Sequence, residues 1–356
     1  MEEVSSNAIV GAGERVGGSL LRRRWFLIGL LLATWLPIGF FLLLAPAAGA
    51  SGGLSSIRSV FLFLGTAHVP ATLYFYFDKD FASIRRNHPV RYFYVPLLLI
   101  VATGAVFAFT SITVQAFVLL LYWSWQAFHY GRQNLGMYAF ASIAETGRPP
   151  RRAEKIAIEL ATLLAIVGTF KVLGSAVAPA YLHRSFDYLY QFGFVAFLAV
   201  IVFAAGLYIK YFQHTSIFKT AFFFTAVLFF LPVFISTDNN IGFLSYAIAH
   251  GLQYIIFMGV ISTTGTDQTI RASLFKNVTM FLVFLLLVGF AFWRVNDLRE
   301  MEFVKSTWAY ARFADFLFGA VLGATMSHFV VDASAWRLSL AKQRSFITKR
   351  FYFVFD

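Results

Sequence analysis

The chain has 356 residues, of which 59% are hydrophobic and 13% are charged, and its formal net charge is +12. A soluble domain carries about 25% charged residues, so this composition excludes an ordinary soluble protein and favours an all-α, polytopic integral membrane protein. The absence of cysteine excludes disulfides, thiolate metal sites and cysteine nucleophiles. The basic residues stand between apolar runs rather than on one face, which argues against a nucleic-acid partner and for contact with the lipid bilayer.

Apolar runs long enough to cross a bilayer recur along the chain. A membrane helix needs about 20 mostly apolar residues, and this criterion predicts about ten spans, at 25–45, 57–77, 92–110, 111–131, 156–174, 188–208, 219–235, 241–262, 277–293 and 311–335. The predicted transmembrane domain therefore covers 25–335. A cytoplasmic N-terminal segment, 1–24, precedes it, and a basic cytoplasmic tail, 336–356, follows it. Between the spans, the longest polar stretch is a predicted loop at 141–155.

The first predicted span also has a feature of a signal peptide, because Ala48-Gly49-Ala50 resembles a cleavage site. Its apolar run is longer than the usual 7–15-residue core of such a peptide. This length favours a retained helix, and cleavage would leave the orientation of the later spans unchanged.

The distribution of lysine and arginine sets the predicted orientation. With the N-terminus inside, 22 of the 29 basic residues fall in inside segments and seven fall outside. Cytoplasmic segments of membrane proteins carry an excess of lysine and arginine. The bias therefore predicts that both ends of the chain lie in the cytoplasm.

The seven histidines divide into two groups. Three lie in loops among polar residues and are typical of solvated interfacial side chains: His88, His183 and His214. The other four fall within predicted spans 2, 4, 8 and 10: His68, His129, His250 and His328. An ionisable group inside a membrane helix is costly and by default indicates a function.

The four spans that carry these histidines are predicted to run in the same direction, from outside to inside. Each histidine lies in the middle or the cytoplasmic half of its span, so the four can meet in one layer. Imidazole is a good ligand for iron, zinc, copper and nickel, and a bound metal offsets the cost of burying it. The pattern predicts a shared metal site; separate packing or proton-relay roles are the alternative.

Asp332 is the acidic residue closest in sequence to one of these histidines. It follows His328 by four residues and so lies on the same helix face. It is a candidate to hold a ligand histidine or to bind the metal directly. The alternative is an interfacial ion pair with Arg337.

Two amides and a tyrosine share helix faces with the other histidines. Gln133 follows His129 by four residues, and Gln253 follows His250 by three. Both amides can orient an imidazole, although amides also link membrane helices. Tyr254 lies on the face of His250, where an aromatic wall suits a flat apolar substrate; simple packing is the alternative.

The histidine motifs resemble those of the bacterial rhodopsin-associated β-carotene 15,15′-dioxygenases, the Brp/Blh-type family. His129-Tyr130-Gly131 is similar to a His-Phe-Gly motif of that family, and His68 stands where a Pro-His-Gly motif is expected. His328 with Asp332 resembles the last motif, a histidine followed about a turn later by an aspartate. His250 corresponds to the first histidine of a His-x-x-x-His pair.

The sequence also departs from the family pattern. Ala67 replaces the proline before the first histidine, and Val69 replaces the glycine after it. Thr72 stands where an aspartate is expected, and Tyr254 stands at the second histidine of the pair. The resemblance covers predicted spans 2–10 in order and rough spacing, with motifs of only a few residues. It implies a distant relative with an iron site more than it implies β-carotene as the substrate.

The resemblance implies a multi-pass protein of the bacterial inner membrane that holds non-haem Fe(II) and uses O₂ as a co-substrate. The substrate would be apolar and lipid-soluble, such as a carotenoid. The metal ligands would be His68, His129, His250 and His328, with catalytic or supporting roles for Gln133, Gln253, Tyr254 and Asp332. A proton-coupled transporter that uses the intramembrane histidines and Asp332, and a membrane scaffold without chemistry, are the alternatives.

The charge bias generates a topology prediction. A reporter fused after Asp356 should read as cytoplasmic, and one inserted near Asn239 should read as external, because the basic segments stay inside. Reporter activity in intact cells measures both. The opposite pattern would invert the orientation and move the histidine layer toward the outer leaflet.

Overall fold

In a computed structural model of the protein, the described residues are 3–44, 52–171, 180–212, 215–236, 239–264, 271–300 and 307–355. All regular structure within these ranges is helical, which confirms the all-α prediction. The Ala48-Gly49-Ala50 sequence and His214 lie outside the described residues, as does the end of predicted span 5.

The helices follow one another along the chain with short connections. The first are α1 (Glu3–Gly39), α2 (Gly52–Ala71), α3 (Tyr74–Phe77), α4 (Ala82–Asn87), α5 (Val95–Phe109) and α6 (Ile112–Thr146). Then come α7 (Arg152–Thr169), α8 (His183–Tyr211), α9 (Ile217–Leu228), α10 (Pro232–Ile235) and α11 (Asn239–Thr263). The last are α12 (Arg271–Leu282), α13 (Gly289–Glu300), α14 (Trp308–Ala335), α15 (Ala341–Arg350) and α16 (Tyr352–Phe355). Turns of π-helix lie at Phe40–Leu44, Val90–Tyr94 and Val283–Val288, and a 3-10 turn lies at Ala180–Leu182.

Seven helical segments among the described residues are long and apolar enough to cross a membrane. They are Ser19–Leu43, Ser59–Phe77, Val90–Phe109, His183–Tyr211, Ile241–Thr263, Phe275–Val295 and Trp308–Ala335. Each coincides with a predicted span, so the protein is a multi-pass helical membrane protein. Large apolar side chains on their surfaces, such as Leu97 and Leu98 on α5 and Val202 on α8, are exposed, as lipid contact requires.

The other three predicted spans coincide with helices that are less apolar or shorter. Predicted span 4 lies within α6, whose polar side chains lower its apolar character. Predicted span 5 begins within α7, which carries four charged residues, Glu159 being the last. Predicted span 7 is divided into α9 and α10, because Pro232 has no N–H to continue a helix.

The predicted loop at 141–155 is wrong in extent. Helix α6 continues to Thr146, and α7 begins at Arg152, so the connection is short. Ala141 and Ala144 are buried, which extends the packed face of α6 beyond the predicted loop boundary. The helix ends where Gly147 takes the left-handed conformation, with φ of 65°.

Helices α5 and α14 lie with their backbones in contact. A Cβ added at Gly319 would come within 2.5 Å of the Thr103 carbonyl oxygen, and one at Gly323 within 2.4 Å of the Leu99 carbonyl oxygen. Small residues spaced by four allow this approach between membrane helices. Ser327 continues the same face and donates a hydrogen bond to the carbonyl of Pro96 at 2.9 Å.

The segment predicted as a basic tail packs against the helical bundle. The ring of Phe351 lies 5.6 Å from that of Phe26 on α1, 5.4 Å from Phe140 on α6 and 5.6 Å from Phe257 on α11. Phe351 is fully buried. The segment therefore covers one end of the bundle, the end at which α1 enters its apolar run.

A buried arginine fastens this segment to two helices. One Nη of Arg350 lies 2.8 Å from carboxylate oxygens of both Asp78 and Asp80, and the other donates to the carbonyl of Ile261 at 2.7 Å. Arg350 and Asp78 are 2% and 5% exposed. Burial raises the pKa of the Asp78 carboxyl above its ordinary value, and the Arg350 guanidinium acts in the opposite direction. Asp78 directly follows α3, and Ile261 lies near the end of α11, so Arg350 ties the end of α15 to both places.

Arg350→Gln should lower the stability of the protein substantially. Removing one partner of a buried ion pair leaves Asp78 buried without its cation, which costs about 3–5 kcal/mol. Thermal unfolding of detergent-purified protein measures the effect. Lys349→Gln, a change at the neighbouring exposed position, is the matched control, and equal unfolding midpoints for the two variants would contradict the assignment.

Candidate metal centre

Four histidines from four helices meet inside the bundle: His68 on α2, His129 on α6, His250 on α11 and His328 on α14. The ring centroids of His68 and His129 each lie 4.9 Å from that of His250 and 5.0 Å from that of His328. Those of His250 and His328 are 6.3 Å apart. The structure thus brings together the four histidines that the sequence placed in one layer; we call them the histidine layer.

The histidine layer is buried and has unused nitrogen atoms. None of the four residues is more than 8% exposed. Within the described part of the chain, no hydrogen-bond partner reaches Nε2 of any of the four, or Nδ1 of His250. Leaving a buried polar atom unsatisfied costs about 1–3 kcal/mol. Such a set of orphaned imidazole nitrogens fits the donor set of a transition metal.

Two overlapping groups of side chains have the spacing of metal ligands. The ligand atoms of His68, His250 and His328 all lie within 4.8 Å of one another. Those of His129, His328 and Asp332 do the same. His328 belongs to both groups, so it is the side chain that the two groups share.

The position of His68 depends on a close crossing of α2 and α11. Its Nδ1 lies 2.5 Å from the carbonyl oxygen of Gly65, which can only accept, so Nδ1 carries the proton and Nε2 holds the lone pair. A Cβ at Gly251 would come within 2.9 Å of both the Gly65 Cα and the His68 Nδ1. Glycine at position 251 therefore allows the two backbones to meet beside the histidine layer.

Side chains about one turn beyond the histidines form a second layer. Tyr254 donates a hydrogen bond to Asp332 Oδ1 at 2.9 Å, and its hydroxyl lies 2.8 Å from Thr72 Oγ1. Each of these three residues follows a histidine by four positions. Their contact requires α2, α11 and α14 to run in the same direction and in register. We call Thr72, Gln133, Gln253, Tyr254 and Asp332 the polar layer.

Asp332 lies with the histidines. It is 4% exposed, and its carboxylate oxygens lie 3.6 Å from Nδ1 of His328 and 4.0 Å from Nε2 of His129. The alternative partner, Arg337, is exposed and donates to Ser339 at 3.2 Å. The placement suits either a direct ligand or a support for one.

The two predicted amides link helices. Gln133 donates to the main-chain carbonyl of His250 at 3.1 Å and to the side chain of Gln253 at 3.0 Å. Gln253 donates to Thr34 on α1 at 2.6 Å. These hydrogen bonds reach main chain and other side chains rather than an imidazole, so the two amides hold α6, α11 and α1 together. Their catalytic role stays a prediction.

Aromatic rings enclose the histidine layer. Tyr130 lies against His250 with ring centroids 4.0 Å apart, and Phe329 stacks on His129 at 4.4 Å. In the sequence, Tyr130 was noted only as the middle residue of His129-Tyr130-Gly131, and Phe329 was not noted. Their one signal was position, since each directly follows a histidine in the chain. Thr72 was noted only as a departure from a motif, and Gly65 and Gly251 were not noted as packing residues.

Comparison with protein-family models, with curated proteins and with solved structures gives no match for this chain.

Gly251→Ala should weaken metal binding at this site. The new Cβ would press on Gly65 and on the His68 imidazole. Because a displaced imidazole no longer points at the metal, we expect the affinity for the metal ion to fall about tenfold or more. Anaerobic titration with Fe²⁺ or Co²⁺ measures it. Gly259→Ala on the same helix has open space around its Cβ and should bind as the wild type does; equal affinity in both variants would refute the role of the crossing.

Proposed function

We propose that the protein is a membrane-embedded non-haem iron oxygenase that acts on a lipid-soluble substrate with dioxygen as co-substrate. The observation that carries the proposal is the convergence of four buried imidazoles with orphaned Nε2 atoms. Burial of an unsatisfied polar group is costly, and one metal ion satisfies several imidazoles at once. Ferrous iron, when bound, would supply the activation of dioxygen.

The donor set supports iron over a structural zinc site. Closed zinc sites commonly use cysteine thiolates, and this chain has no cysteine. Neutral imidazoles leave the positive charge of a divalent ion nearly intact. Asp332 is the acidic side chain beside them, and its carboxylate would reduce that charge by one. A cationic centre in an apolar environment favours binding of small anionic or polarisable groups at its open positions.

The two sides of the histidine layer differ in polarity. On the side of the helix N-termini, a cleft of about 100 Å³ lies between α2, α13 and α14. Phe292, Trp293 and Phe318 line it, and Thr66, two residues before His68, is its polar member. On the opposite side lies the polar layer. The apolar side chains therefore lie on one side of the histidine layer and the polar layer on the other.

The contacts of the chain ends support the predicted topology. Arg22, at the start of the first span, donates a hydrogen bond to Tyr352 near the C-terminus at 2.5 Å. Two points on the same side of a membrane are joined by an even number of crossings. The contact supports the proposal that both segments lie on one side of the membrane, which the charge bias identifies as the cytoplasm.

A proton-coupled transporter is the second candidate function. A chain of hydrogen bonds links Asp332, Tyr254, Thr72 and His328 inside the membrane, and such chains of ionisable and hydroxyl groups serve as proton paths. The orphaned nitrogens of the other histidines favour the metal site, because a proton path would use them as hydrogen-bonding members.

The test of the proposal begins with metal content. Detergent-purified protein should carry about one iron per chain after anaerobic ferrous reconstitution. His68→Ala, His129→Ala, His250→Ala and His328→Ala should lose it, because each removes an inward nitrogen, whereas His88→Ala and His183→Ala should keep it. Wild-type protein without transition metal after reconstitution would end the proposal.

The substrate is tested by expressing the same variants in a carotenoid-producing bacterial host and extracting the pigments. Cleavage of a central carbon–carbon double bond by O₂ places one oxygen atom in each of two carbonyl products, so no added reductant is needed. Loss of β-carotene with formation of retinal, abolished by His129→Ala, would support the carotenoid as substrate. Unchanged pigment with bound iron would keep the oxygenase and discard this substrate.

A further inference from the structure

The hydrogen-bond chain beneath the histidine layer connects a carboxylate to a metal-facing imidazole. Nδ1 of His328 lies 2.6 Å from Thr72 Oγ1, which lies 2.8 Å from the Tyr254 hydroxyl, which donates to Asp332 Oδ1 at 2.9 Å. All four side chains are at most 5% exposed. Solvent therefore does not compete for these hydrogen bonds.

The direction of each hydrogen bond follows from the number of protons. A hydroxyl has one proton, and an ionised carboxylate has none. With Asp332 in its ionised form, as beside a bound divalent cation, Tyr254 donates its hydrogen bond to Asp332 and can only accept from Thr72. Thr72 then has no proton left and can only accept from His328. Nδ1 of His328 must carry the proton, and the lone pair lies on Nε2, the atom that has no hydrogen-bond partner among the described residues.

Asp332 cannot perform this role directly. Its nearest oxygen is 3.6 Å from Nδ1 of His328, which is too long for a hydrogen bond. The two residues share a face of α14 but are separated by a full turn. The hydroxyl groups of Thr72, in the turn directly after α2, and of Tyr254 on α11 bridge this gap, so the tautomer of His328 depends on side chains from two other parts of the chain.

We propose that Thr72 is a positioning residue that, together with Tyr254, holds His328 as its Nδ1–H tautomer and directs the Nε2 lone pair into the site. The inference rests on the proposed metal centre. Of these two histidines, His328 is the one whose tautomer depends on side chains. Nδ1 of His68 donates to a main-chain carbonyl, whereas Nδ1 of His328 contacts the side chain of Thr72. His328 belongs to both ligand groups, so a loss of its orientation affects the whole site.

The experiment compares Thr72→Val, which keeps the shape and removes the hydroxyl, with Thr72→Ser, which restores the hydroxyl. Thr169→Val is the matched control, because Thr169 is an equally buried threonine that touches no histidine of the site. Anaerobic Fe²⁺ titration of the full-length protein in detergent gives the affinity. Thr72→Val should bind about 10–100-fold more weakly than wild type, while Thr72→Ser and Thr169→Val should stay within about threefold of wild type.

A second measurement separates positioning from general damage. Nitrogen-15 NMR of histidine-labelled, metal-free protein reports which ring nitrogen carries the proton, and the His328 signal is assigned by its loss in His328→Ala. Thr72→Val should remove the Nδ1–H signature of His328, and Thr72→Ser should restore it. Wild-type affinity in Thr72→Val overturns the inference while leaving the metal site intact. If the wild type binds no metal, the proposed function fails, and an unchanged His328 tautomer in Thr72→Val still overturns the inference by itself.

Discussion

The site depends on four helices that pass one another in the same direction with their histidines at one level. A shift of one helix by a single turn moves a side chain by about 5.4 Å, which exceeds the separation of neighbouring imidazole rings, 4.9–5.0 Å. The polar layer is independent evidence for the same register of the helices, because the Tyr254 hydroxyl contacts both Thr72 and Asp332. Register, more than the presence of any one histidine, creates the donor set.

Small residues fix this register where the backbones touch. Gly65 and Gly251 bring α2 against α11, and Gly319 and Gly323 bring α14 against α5. On α6, a Cβ at Gly131 would come within 2.1 Å of Thr162 on α7. In lipid, such close packing replaces the hydrophobic drive that water provides to soluble proteins. The glycines near His68, His129 and His250 are therefore part of the site's construction, although they donate nothing to a ligand.

The sequence was most informative where a polar residue type stands inside an apolar run. Four histidines in apolar runs stood out because the surrounding residues are uniformly hydrophobic, and their convergence followed from depth alone. The same uniform hydrophobicity gave no indication of how each helix is rotated about its axis. Apolar runs without a polar face do not reveal helix rotation, so the contacts of Thr72 with Tyr254 and His328, 182 and 256 residues away, had no local signal. Helix α6 fell short of the span criterion because of its polar residues, among them Gln133, which links α6 to α11.

Thr72 and Tyr254 stand at two of the four positions where the sequence departs from the resembled motif pattern, and the two side chains share one hydrogen bond. The two hydroxyl groups depend on each other, because loss of either one leaves a buried hydrogen-bonding group without its partner. Each is neutral, so the pair adds no charge beside the site, where a carboxylate at position 72 would add a second acid to Asp332. A divalent ion bound here would therefore stay more cationic than in a site with two carboxylates. The hydroxyl pair passes the influence of one carboxylate to His328 without adding another.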